Sequence, residues 1–155
     1  MVADIAQTRA ERSKPPRGRP EGRYYNLHSL FSRLNVDYFS LRLQSVPLLW
    51  SSRRSLRRLG YYRQAVNTIV ISSALDDPRV PECVVEFILY HEMLHAWMPT
   101  VIRNGRRCDH TAEFRAAERK YRHYEMAERF LRSWPPKELR KGRSVKPSMW
   151  QRWLF

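Results

Sequence analysis

The stretch "LYHEMLHAW", residues 89–97, decides how the rest of the chain is read. Two histidines, His91 and His95, bracket Glu92. Residues four apart on an α-helix lie on one face, so both imidazoles can reach the same point. The neighbours make this a buried helix. Val84, Val85, Phe87, Ile88, Leu89, Met93, Leu94, Ala96 and Trp97 leave almost no polar face, the pattern of a helix enclosed on all sides. Burying two histidines and a glutamate there is costly unless something pairs with them. A metal ion supplies that pairing. Accidental H-E-x-x-H is expected in about 1% of chains with this usage of His and Glu, so the surroundings must carry the rest.

Neutral imidazoles suit Zn²⁺, and a catalytic zinc takes a third protein ligand while keeping one position open to water. Glu92 would then accept a proton from that water, whose pKa the metal lowers toward about 7. His110 is the first candidate for the third ligand, 15 residues beyond His95 and at the start of the next helix. Glu113 is a rival that would make a two-histidine, one-carboxylate site, and Glu118 is a weaker one. Cys108, two residues before His110, opens a different reading: a closed, structural site with four protein ligands. His28 and His123 read as surface or packing residues.

Outward from the helix, the periodicity changes. Pro81 sits at its first turn and Pro99 closes it. Upstream, "VPLLW" (46–50), "RRLGYYR" (57–63) and "NTIVIS" (67–72) are short β-branched or aromatic runs that predict a small three-stranded sheet. Gly60 within such a run marks a bulge or a close backbone approach. Before the sheet, Leu27, Leu30, Phe31, Leu34 and Tyr38 have helical spacing, with Asn26 as N-cap. Downstream, residues 100–110 read as a polar loop turning at Asn104–Gly105. A second long helix is predicted from Thr111 to Ser133, stopped by "WPP" (134–136). The fold class is therefore α+β. Its expected parts are a disordered basic arm (1–22), one compact domain (23–134) and a basic, aromatic-containing tail (135–155).

The 155 residues carry 29 Lys and Arg against 15 Asp and Glu, a net charge of +14. Such a balance attracts polyanions. The densest run, "SSRRSLRRLGYYR" (51–63), places Arg53, Arg54, Arg57, Arg58 and Arg63 beside Tyr61 and Tyr62. Arginines interleaved with aromatics can hold single-stranded or distorted DNA by phosphate contacts and base stacking. The same run also fits a solvated face in which strand alternation sends one tyrosine to the core. Two isolated cysteines, Cys83 and Cys108, form no disulfide framework or zinc ribbon. No apolar h-region and no membrane-spanning run is visible, so a cytoplasmic setting is expected.

The run from Arg58 to Trp97, "RLGYYRQAVNTIVISSALDDPRVPECVVEFILYHEMLHAW", followed by "CDHTAEFRAAE" (108–118), resembles the SprT-like metalloprotease domain, the family that includes the DNA–protein-crosslink protease Spartan. "LNVDYF" (34–39) and "LLWSSR" (48–53) resemble that family's first helix and first strand, so the likeness covers about residues 24–133. The resemblance implies a compact zincin-like domain with zinc on His91, His95 and His110 and Glu92 as catalytic acid/base. It favours His110 over Glu113, and it implies that the strand around Asn67–Ser72 borders the substrate cleft. Thr111 departs from the Gly often found after the third histidine. Without a Cys₄ ribbon, the chain looks like the short bacterial members. Two functions are carried forward: a zinc metallopeptidase acting on protein or peptide, and a nucleic-acid-binding module with a structural zinc.

Overall fold

The computed structural model describes residues 18–140. Helix α1 (Leu27–Phe39) starts where the Asn26 side chain accepts from the backbone N–H groups of His28 and Ser29. It buries Leu27, Leu30, Phe31, Leu34 and Phe39. Three strands follow: β1 (Leu48–Trp50), β2 (Gly60–Arg63) and β3 (Thr68–Ile71). Their order in the sheet is β1-β3-β2, with β1 parallel and β2 antiparallel to β3. The all-β-branched β3 is central and buried along its whole length, as a strand covered on both faces must be.

Helix α2 (Glu82–Trp97) is buried continuously from Val84 to Leu94. It packs on α1, on β2 and β3, and on the helices that follow it. Residues 100–110, expected to be a loop, form a hairpin of β4 (Val101–Arg103) and β5 (Arg106–Cys108). Asn104 (φ 49°) and Gly105 (φ 72°) both occupy the left-handed region, as a two-residue turn matched to strand twist requires.

The second long helix does not form as one piece. Helix α3 (Ala112–Glu118) ends, and α4 (Tyr124–Arg132) begins six residues later. The break has a packing cause. Tyr121 turns into the core at 2% exposure, with its hydroxyl 2.8 Å from Glu86 Oε2 and 3.0 Å from the Cys83 carbonyl oxygen. The backbone N–H of Arg122 donates to the Tyr38 hydroxyl instead of to a helical carbonyl. Burial of an aromatic ring with its hydroxyl satisfied outweighs one unbroken turn of helix.

Residues on either side of 23–134 make contacts with it. The Trp50 backbone N–H donates to the Arg19 carbonyl and its indole to the Pro20 carbonyl, each at 3.0 Å. The Asp76 carboxylate accepts from the successive N–H groups of Arg23, Tyr24 and Tyr25. At the other end, helix α5 (Lys137–Arg140) buries Leu139. Residues 1–17 of the expected arm and 141–155 of the expected tail lie outside the described residues. No helix among the described residues is long and apolar enough to cross a membrane.

Candidate metal centre

Helix α2 places His91 and His95 one turn apart on a single face, with their Nε2 atoms 3.0 Å from each other. The β4–β5 hairpin carries the chain away from α2 and back, so that His110 joins the pair. Its Nε2 stands 3.1 Å from that of His91. One ligand atom from each of the three histidines fits within a span of 4.8 Å. Among the described residues this group contains His91, His95 and His110, and neither Cys108 nor Glu113 joins it. Cys108 lies on the cleft wall, and Glu113 is exposed at the start of α3.

Two residues support the cluster in ways that the sequence reading misses. Phe114, 1% exposed, packs its ring against all three imidazoles at centroid distances of 5.0, 4.6 and 4.9 Å from His91, His95 and His110. Thr111 begins α3 by accepting from the Phe114 N–H, which sets the ring's place four residues after His110. By periodicity Phe114 belongs only to an apolar stripe; the H-x-x-x-F spacing is the signal that marks it. Glu118, the weaker rival as a ligand, is a partner of one: its Oε1 lies 2.6 Å from His91 Nδ1. Glu118 falls four residues after Phe114, on the same helix face.

The electrostatics favour neutral rings. Burial, and then His110, holds His91 well below the usual histidine value. Burial, with His91 and His110, holds His95 down to about 3, and burial lowers His110 as well. Metal binding requires neutral imidazole. Because His91 Nδ1 is engaged by Glu118, its Nε2 faces two further ring nitrogens at hydrogen-bond distance. Three neutral imidazoles converging in this way fit a cation.

Glu92 is buried at 3% exposure, and that burial pushes its carboxyl up to about 8. Arg58 and the Tyr62 backbone N–H pull the other way. Gly60 makes room for it: a Cβ there would stand 2.8 Å from Glu92 Oε1 and 3.0 Å from Ile88 Cγ2. Gly60 therefore marks a close approach, by side chains of α2 and not by another backbone.

The cluster opens into a cleft of about 870 Å³ lined by His91, Glu92, His95 and His110. Gly60, Tyr61 and Tyr62 form one wall. The strand beside the cleft is thus the edge strand β2. β3, expected there by resemblance, is the central strand and is covered. Tyr62 packs on the core with its hydroxyl donating to Asn67 Oδ1, while Tyr61 lies under the Arg58 guanidinium at 4.3 Å. Of the five arginines singled out, Arg58 lines the cleft. Arg53, Arg54 and Arg57 are exposed outside it, with Arg54 paired to Asp77 at 3.3 Å, and Arg63 ends β2 half-buried.

No curated protein and no solved structure matches the chain. A family model does, over residues 27–132, which takes in α1, the sheet, the histidine cluster and its supporting residues: the chain belongs to the SprT-like family.

Proposed function

We propose that this protein is a zinc-dependent metalloendopeptidase. Membership of the SprT-like family supports a metallopeptidase-type domain. The observation that carries the reading is the juxtaposition of three converging imidazoles with a buried carboxylate in one open cleft. His91, His95 and His110 are the residues that would hold Zn²⁺, which would act as a Lewis acid and make water acidic enough to lose a proton near neutral pH. Glu92 is the base. A cation's charge nearby lowers a carboxyl that burial alone has raised, so Glu92 can take up the water's proton on its carboxylate. The same oxygen then returns the proton to the departing amine nitrogen. Glu118 keeps the His91 ring oriented, and Phe114 packs against all three imidazoles. β2, at the end of the sheet and lining the cleft, suits an extended polypeptide laid along it.

The deciding experiment is metal content by mass spectrometry on wild type and His110→Ala, combined with hydrolysis of an unfolded protein substrate. About one zinc per chain and hydrolysis that disappears in Glu92→Gln are the expected results. Full zinc retention in His110→Ala would remove His110 from the site.

A second reading, DNA binding, is favoured by a separate hollow of about 440 Å³ next to the cleft. Arg53, Arg58, Tyr61, Trp50 and the hydroxyl-bearing Ser51 and Ser55 line it. Guanidinium, hydroxyl and ring together suit phosphate and an unpaired base. The two readings are compatible in one molecule.

A further inference from the structure

We propose that the cleft selects polypeptide segments with acidic side chains beside the bond to be cut. This deepens the peptidase reading and rests on it. Three arginines line the cleft, from three different elements. Arg58 precedes β2 on one wall, Arg107 belongs to β5 and Arg115 to α3. Their circumstances differ. Arg107 already has a carboxylate, Asp109 at 3.5 Å, and donates to the Thr100 hydroxyl at 3.2 Å. Arg58 and Arg115 form no ion pair among the described residues.

Those two line the same cleft as the histidine cluster. Arg58 is held over the Tyr61 ring and its charge reaches the Glu92 carboxylate. Arg115 belongs to α3, and its charge reaches His110 and Glu118. A segment lying across the histidine cluster shares the cleft with two guanidiniums that are in no ion pair among the described residues. Asp109 is paired with Arg107, and Glu92 is buried, so the three guanidiniums of the cleft outnumber its one accessible carboxylate. Complementary charge favours a ligand that brings carboxylates to this place, and a lysine-bearing segment meets repulsion there. Nucleic acid is the less suitable occupant. The arginines that would track a phosphate backbone, Arg53, Arg54 and Arg57, do not line this cleft.

The test uses three fluorescent peptides that differ only in having Glu, Gln or Lys on either side of a central apolar pair. Binding is followed by anisotropy with the zinc-loaded Glu92→Gln protein, so that no turnover is needed. Two partly exposed ion pairs predict that the Glu peptide binds about three- to tenfold more tightly than the Gln peptide at low salt. In an added Arg58→Ser/Arg115→Ser pair, that preference should shrink to within about twofold. In Arg42→Ser/Arg129→Ser, exposed positions outside the cleft with the same change in charge, it should persist. An unchanged preference in the cleft pair, or an equal loss in the control pair, overturns the proposal. So does a single-stranded oligonucleotide that binds more tightly than the Glu peptide through Arg58 and Arg115. Cleavage by the wild type separates the two layers. No hydrolysis with the binding preference intact removes the peptidase reading and leaves the acidic-segment site. Equal kcat/KM for all three peptides removes the preference alone.

Discussion

Glu118 Oε1 stands 2.6 Å from His91 Nδ1, with both residues buried. A histidine ring has two nitrogens, and occupying one sets the direction and basicity of the other. Glu118→Ala should therefore weaken zinc affinity about 10- to 100-fold, with Glu118→Gln falling less, because an amide can still hold the ring. Competition against a chromophoric chelator measures this. Wild-type affinity in Glu118→Ala would make the contact incidental.

Glu92→Gln keeps the shape of the side chain but removes its ability to accept a proton. Zinc content and thermal midpoint should stay at wild-type levels while hydrolysis falls by about 10²- to 10⁴-fold. Hydrolysis at the wild-type rate in this variant would assign the base elsewhere.

Gly60→Ala tests the contact between β2 and α2. The added methyl would sit 2.8 Å from Glu92 Oε1. Overpacking of this kind costs about 1–3 kcal/mol. The expected result is a lower unfolding midpoint and, because the displaced group is Glu92, a loss of hydrolysis larger than the loss of zinc. Gly60→Ala with unaltered stability and turnover would show that the contact yields.

Asp77 gives a pH dependence remote from the histidines. Arg79 donates to both its oxygens at 2.7 and 2.6 Å, which, against the effect of burial, holds the carboxyl down to about 2. A folded value below the unfolded one, about 3.9, stabilises the fold above that pH. The contribution disappears as pH falls from about 4 toward 2. Urea midpoints should therefore drop more steeply over that range for wild type than for Asp77→Asn. Parallel profiles would count against the pairing.

If DNA binds at Arg53, Arg54, Arg57 and Arg58, its affinity should fall steeply with salt. Changing all four to Ser should flatten the log–log slope by about one unit at most per phosphate no longer neutralised. Single-stranded oligonucleotides should bind better than duplex, through Tyr61. A variant matching wild type at every salt concentration would make this run a solvated face.

The parts of the site legible in the sequence are those governed by local spacing. His91 and His95 declare their common face through the helical period, and the apolar residues around them declare burial. Asn26 and Thr111 are caps of ordinary type. What is not legible depends on residues distant in the chain. Only the pairing order reveals that β2, and not the more hydrophobic β3, is the edge strand. The break between α3 and α4 depends on Tyr121 reaching Glu86, 35 residues away. Asn104–Gly105 does carry a hairpin signal. It is masked because β4 and β5 are only three residues each and largely exposed, too short to display the alternation that marks a strand.

The three histidines do not rest on equally firm ground. Among the described residues, His91 and His95 belong to a helix buried without a break from Val84 to Leu94, whereas His110 is held by the Phe114 ring on one side and on the other is reached through a two-stranded hairpin whose side chains from Val101 to Arg107 are all exposed. Little apolar burial resists separation of that hairpin from the domain. The chain is thus a fixed jaw and a hinged one. The rate of zinc loss should follow hairpin opening, not global unfolding. Amide hydrogen exchange in β4 and β5 should slow on metal loading, while that of α2, already protected by the core, hardly changes.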